Sequence, residues 1–234
     1  MRAAVGYSFR YYARSYRFVA PLLMFGIILL FIYGVVPNPV MSSYSLTSTM
    51  LFVVAAWLGF GYIDAEDETQ QLITVMHIGN VIKYYLYKLM VIMLICMVLS
   101  FICVLYPIAF DKFDRQPSLS ESVIAYLSHG FLALLGLSIS ILFTNKLVGK
   151  LSYAILGIFL TIAIALAGAG IAKALPEYAS GLAWLLPPLF RTMETLNRYE
   201  EATALDIALS VTAPLLYSGI LLGIFLVSMK KRLF

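Results

Sequence analysis

The chain has 234 residues, of which 62% are hydrophobic and only 12% charged, with a mean hydropathy of +0.93 and a formal net charge of +4. A soluble domain carries about a quarter charged residues, so the composition excludes one and predicts an all-α integral membrane protein forming a single domain over 1–234. Six charge-free apolar stretches approach the roughly 20 residues that cross a bilayer as helix; they cover about 18–36, 46–63, 89–110, 122–145, 151–172 and 207–229.

Six spans put both termini on one side. That side collects Arg2, Arg10, Arg14, Arg17, Lys83, Lys88, Lys146, Lys150, Lys230, Lys231 and Arg232, for a balance of +7 against −3 opposite. Short cytoplasmic loops retain Lys and Arg, so both termini are expected in the cytoplasm. The basic excess is accounted for by this topology; no basic cluster is interleaved with aromatics on a soluble face, and no nucleic-acid partner is expected.

In chain order, residues 1–17 place Arg10, Arg14 and Arg17 at i, i+4, i+7, with Val5, Phe9, Tyr12 and Tyr16 on a largely different face. This predicts a helix in the inner headgroup layer, where Arg meets anionic membrane lipid and Tyr favours the interface; the plainer alternative is a basic topogenic flank. The first span exceeds a signal-peptide apolar core and no small-residue cleavage site follows it, so it is expected to be retained. Pro37 and Pro39 keep the next loop extended.

Between the second and third spans lies Asp64 to Asn80. Asp64, Glu66, Asp67 and Glu68 suit the start of a helix, where negative charge complements free amides. Leu72, Ile73, Val75 and Met76 form an apolar stripe with Gln71, Thr74 and His77 around the rest, and Gly79-Asn80 is a stop signal. A helix over about 65–79 is predicted, with Lys83 and Lys88 at headgroup level beyond it. Cys96 and Cys103 would stand about 10 Å apart along the third span, too far for an intrahelical disulfide, and are read as packing residues.

In the fourth span His129 is the one ionisable side chain at membrane depth, either a hydrogen-bonded packing residue or a relay member without a second member in sight. Small residues cluster at Ala163, Ala165, Ala167, Gly168, Ala169 and Gly170 and at Gly219 and Gly223, where helices could approach closely. The last outer segment, 173–206, holds Pro187-Pro188 and Trp184 and then the polar stretch 191–204. It is expected to be helical, either as an interfacial or re-entrant element or as a surface hairpin anchored by Trp184. Pro214 is expected to kink the sixth span.

Catalytic chemistry is missing. The sequence holds neither an H-E-x-x-H helix nor a paired intramembrane aspartate, and no G-x-x-x-x-G-K-[ST] phosphate loop. The chain is expected to be a non-enzyme without metal or cofactor of its own.

Glu68-Thr69, Gln71-Leu72-Ile73 and the entering Lys88 resemble the signature after the second span of type-2 ABC transporter permeases, with His77-Ile78-Gly79 in place of that family's Pro-containing turn. The topology is similar throughout: an amphipathic amino-terminal helix, six spans, a longer last outer loop and the basic ending Lys230-Lys231-Arg232. The resemblance implies the permease subunit of an exporter in a bacterial cell membrane, paired with a second permease, identical or not, and with cytoplasmic ATPase subunits that supply ATP and Mg. It also implies a coupling helix that docks the ATPase through Asp64, Glu66, Asp67, Glu68, Gln71, Leu72, Met76 and His77. By the same resemblance the second and fifth spans line the translocation route, here with Thr49, Phe52, Trp57, Phe60, Phe159 and Thr161. An amphipathic, antimicrobial-type peptide is the expected cargo. The alternatives are an exporter of a lipid, glycan or drug-like molecule, or a six-span substrate-binding component or scaffold not coupled to ATP.

Overall fold

The computed structural model describes residues 2–233, with side chains from Ala4 to Arg232. Its helices are α1 (Arg2–Ser15), α2 (Val19–Ile32), α3 (Val40–Ile63), α4 (Glu68–Ile78), α5 (Val81–Ala109), α6 (Leu119–Ile141), α7 (Asn145–Val148), α8 (Leu151–Ala174), a 3-10 helix (Glu177–Leu185), α9 (Leu189–Asn197) and α10 (Ala204–Leu233). Five are long and apolar enough to cross a membrane: α3, α5, α6 continued by α7, α8 and α10. The pair α1 and α2, bent by 77°, makes a sixth candidate. The chain is a multi-pass membrane protein of helices.

Helix ends differ from the hydropathy boundaries for local reasons. The second span starts at Val40, not near 46, because Pro39 provides an extended N-cap residue and the polar run behind it bonds to its own backbone. Ser43 Oγ donates to the Pro39 carbonyl at 2.6 Å, and Thr49 Oγ1 to that of Ser45 at 2.9 Å, so hydroxyls that would be costly in lipid are satisfied within the helix. The third span starts at Val81, not at 89, because the Asn80 side chain accepts from the Lys83 amide at 3.0 Å and caps it. The first apolar run stops being helical at Ile32, short of 36.

The centre of the bundle is the α3–α6 pair, where 67% and 61% of the apolar window is buried, against 22% for α8 and 28% for α10 at the rim. Two glycines bring the pair together. A Cβ on Gly136 would run into the carbonyl oxygen of Phe52, and one on Gly59 would stand 2.6 Å from both Leu137 Cδ1 and Ser140 Oγ. The small residues picked out from sequence behave otherwise: Gly168 gives room to the Phe190 ring, while Gly170, Gly219 and Gly223 face open space. Of the expected close approaches, those at Gly170, Gly219 and Gly223 are not made within this chain, while Ala165 is buried in the core. Cys96 and Cys103 are buried free thiols.

Contacts define two ends. At the end bearing both termini, α1, the α3–α5 connection, α7 and the last turn of α10 converge. At the far end, the Asn38 amide donates to the Lys112 carbonyl at 3.0 Å and Asp114 N–H to that of Asn38 at 2.9 Å, tying two loops together. Arg115 binds Glu121 bidentately at 2.6 and 2.9 Å, which holds the guanidinium above its usual pKa. The segment between α8 and α10 resolves into two parts. The 3-10 helix leaves Tyr178, Trp184 and Leu185 exposed, whereas α9 is wedged among α3, α8 and α10 with Leu189 fully buried beside Phe52, Leu132 and Leu135. Pro214 lies inside a continuous α10 and has no N–H for the Ser210 carbonyl; the Thr192 hydroxyl of α9 donates to that carbonyl at 2.7 Å instead.

Candidate functional site

The site is the α4 assembly at the terminal end. α4 forms because Asp67, in extended conformation, caps it by accepting from the Thr69 amide at 2.9 Å, with Glu68 in the first turn favoured by the helix dipole. It stops at Gly79, whose φ of +73° is the left-handed conformation open to glycine. Asn80 then caps α5, so two residues turn the chain from one helix into the next.

A buried ion pair anchors the connection. Glu66 Oε2 and Lys88 Nζ lie 3.4 Å apart with side chains only 3% exposed. The carboxylate is surrounded by donors: Tyr7 OH of α1 at 3.0 Å, Thr74 Oγ1 of α4 at 3.0 Å, and the Tyr84 hydroxyl of α5. Lys88 uses its three N–H groups on Glu66, on Tyr84 OH at 3.2 Å and on the Ile63 carbonyl that closes α3 at 3.2 Å, and it sits 5.4 Å from the ring centres of Tyr62 and Tyr84. Charges removed from water persist only with such full pairing. Lys88 is therefore a buried partner of Glu66, a pairing the sequence did not suggest.

Asp64 performs a second fastening. Its carboxylate accepts from the Thr144 hydroxyl and from the Asn145 amide at 2.8 Å, and its carbonyl accepts from Arg17 Nη1 at 2.8 Å. Gln71 adds a third, donating to Tyr85 OH at 2.6 Å and accepting from Lys146 Nζ. Arg232 in turn donates to the carbonyls of Lys146 and Leu147. α1 and α7 are thus tied to α4 or to the loop that carries it, and the last turn of α10 is tied to α7. Between α1, this loop and α7 opens a cleft of about 650 Å³ whose walls include Tyr11, Arg17, Asp67, Glu68 and Lys146.

The outer face of α4 is different. Leu72, Ile73 and Met76 are 47%, 57% and 75% exposed, flanked by exposed Glu68, Gln70 and His77. The stripe read as continuous divides here, since Val75 is buried against the bundle. Of the eight residues expected to dock a partner, Glu66 and Gln71 point inward and cannot reach one, Asp64 is engaged with α7, and Asp67, Glu68, Leu72, Met76 and His77 remain on the surface.

α1 also turns differently from expectation. Tyr12 and Ser8 are buried, Val5 is half-buried, and Phe9 and Tyr16 share the exposed surface with Arg10, Arg14 and Arg17. The six residues expected along a route differ in exposure. Phe52 is wholly buried and Thr49 nearly so, Phe60 and Thr161 are half-buried, and Trp57 and Phe159 are exposed on α3 and α8. His129 is buried, with Nδ1 2.7 Å from the Ala125 carbonyl and Nε2 2.9 Å from Thr47 Oγ1. The carbonyl fixes the proton on Nδ1, leaving Nε2 to accept from the hydroxyl. Both nitrogens are satisfied, as in the packing alternative.

The residues missed from sequence are Tyr7, Tyr84 and Tyr85 and the Glu66–Lys88 pairing. The available signal was two lysines and three tyrosines in the first turns of an apolar run, but nothing in Glu66-Asp67-Glu68 distinguishes the acid that turns inward. Set against family models, curated proteins and solved structures, the chain matches none of them.

Proposed function

We propose that this chain is the membrane subunit of an ATP-driven exporter, which pairs with a second permease and receives its energy from separate cytoplasmic ATPase subunits at α4. The observation that carries this is one helix with two faces. Its inner face holds Gln71, bonded to α5 and α7, and Thr74, bonded to Glu66 of the preceding loop, whose Glu66 and Asp64 reach α1, α5 and α7, while the outer face offers Leu72, Ile73 and Met76, apolar and exposed. An isolated apolar patch of this kind suits a protein partner. A helix so fastened transmits a push instead of absorbing it, which is what a rigid-body shift between two packings of the permease pair requires.

The orientation that puts α4 in the cytoplasm of a bacterial cell membrane rests on the distribution of Lys and Arg. ATP and Mg belong to the partner, and the favoured cargo is an amphipathic peptide. The test is co-purification of the chain with an ATP-hydrolysing subunit from native membranes, repeated with Asp67→Lys, Glu68→Lys. Loss of the subunit and of export by that variant is expected. A chain that emerges alone, with export unaffected by the double change, is the non-ATP-coupled six-span protein.

A further inference from the structure

At the end opposite the α4 assembly, a cleft of about 380 Å³ lies between α9, the 198–203 turn and the start of α10. Small-ligand sites run from about 300 to about 1,000 Å³, so its size suits a small polar group. Charges of both signs line it: Arg191 and Arg198 on one hand, Glu194, Glu201 and Asp206 on the other, with Thr195 between.

Arg191 is the unusual member. Its guanidinium is stacked 3.6 Å above the Trp184 ring and 5.6 Å from that of Phe190, which fixes its position. Among the described residues the salt bridges are Lys88–Glu66 and Arg115–Glu121, so neither Arg191 nor Arg198 has a carboxylate partner. Burial without an anion lowers the Arg191 pKa below its usual value. A planar fork held against two rings with its N–H edges free is set to take an anion bidentately. Asp206 is already occupied by the amide and hydroxyl of Thr203, at 3.1 and 2.7 Å, which leaves Glu194 and Glu201 as free acceptors in the wall of the same cleft.

The surroundings place the cleft at a membrane surface. Leu182, Trp184 and Leu185 are exposed beside it, and Leu209 of the spanning helix α10 contributes to its wall. Exposed Trp next to the end of a span is the pattern of the headgroup layer. From the stacked, anionless Arg191 facing free Glu194 and Glu201 in this cleft, we infer a binding site for a phosphate–ammonium zwitterion, the headgroup of a phosphatidylethanolamine-type lipid of the adjoining leaflet. The phosphate sits on Arg191 and Arg198, and the primary ammonium donates to Glu194 and Glu201. A quaternary headgroup has no N–H to donate there, and Arg191 covers the Trp184 face it would use. The site is independent of whether α4 couples to an ATPase.

The experiment uses the full chain in nanodiscs. With only two tryptophans, Trp57→Phe leaves Trp184 as sole reporter, and its emission is followed as phosphatidylethanolamine, phosphatidylcholine or phosphatidylglycerol of identical chains replaces an inert background lipid. Saturable change with phosphatidylethanolamine, at about tenfold lower mole fraction than with the other two, is expected. Arg191→Gln abolishes that preference and Arg191→Lys keeps part of it, with thermal unfolding confirming that both are folded. Glu194→Gln, Glu201→Gln removes the discrimination against phosphatidylglycerol. Soluble O-phosphoethanolamine separates the sources: no effect at millimolar levels supports a lipid ligand, and competition supports a headgroup site that a free phosphoamine also fills. Equal responses to the three lipids, or a preference that survives Arg191→Gln, overturn the proposal.

Discussion

Lys88→Met tests whether the α4 assembly is fastened by charge. The substitution keeps most of the aliphatic length but leaves Glu66 in a site 3% exposed with no cation 3.4 Å away. It also removes the donor to the Ile63 carbonyl. Taking one partner from a buried pair costs about 3–5 kcal/mol. Because Glu66 keeps the hydroxyls of Tyr7, Thr74 and Tyr84, the lower bound applies, about 3 kcal/mol. In Glu66→Gln, Lys88→Met no uncompensated charge remains, and the loss falls to about 1 kcal/mol, the worth of ordinary hydrogen bonds. Unfolding by a denaturing detergent titrated into mixed micelles measures both. If the single and double variants are equally stable within about 0.5 kcal/mol, the size of an ordinary surface effect, the pair is not a buried fastening and the reasoning fails.

Other consequences are equally direct. Gly136→Ala forces α3 and α6 apart at the Phe52 carbonyl and is expected to cost about 3 kcal/mol, the upper range for overpacking, whereas Gly223→Ala, facing open space, raises the thermal midpoint in detergent slightly, since alanine is favoured over an interior helical glycine by about 0.5–1 kcal/mol. Thr192→Val strands the Ser210 carbonyl that Pro214 cannot serve, with an expected loss of about 1–3 kcal/mol; Thr212→Val, whose hydroxyl bonds only its own helix, is the neutral control. Cys96 and Cys103, 2% and 0% exposed, are expected to resist a small maleimide until the protein unfolds; modification of the folded chain at the rate of a free thiol contradicts the packing of α5.

Composition and spacing made the helical membrane architecture legible, and Asp67, Gly79 and Asn80 made α4 legible, because capping is written in adjacent residues. What stayed hidden was rotation and partnership. Glu66, Asp67 and Glu68 are chemically alike, yet Glu66 alone meets Lys88, and that choice depends on how α5 packs against α3. The early start of α5 was hidden because lysine and tyrosine lower hydropathy there, while the Asn80 cap starts the helix and Glu66 pairs the buried Lys88. Small residues misled similarly. Gly136 and Gly59 each share their span with only one other glycine yet bring α3 and α6 together, while the richer group near Gly168 has one aromatic ring for a neighbour. Thr49, Phe52, Trp57, Phe60, Phe159 and Thr161 were placed by analogy of spans, which fixes depth but not direction, and they range from wholly buried to exposed.

The central claim is that the exposed face of α4 receives an ATPase. It is tested by exchanging Leu72 and Met76 for aspartate, since neither supports the fold and both are exposed at 47% and 75%, and measuring the ATPase subunit retained per permease after purification from native membranes. A folded chain with an unchanged thermal midpoint that has lost its ATPase and its transport is expected. A chain that keeps both with two charges in the patch, or that carries no ATP-hydrolysing subunit to begin with, contradicts the docking proposal.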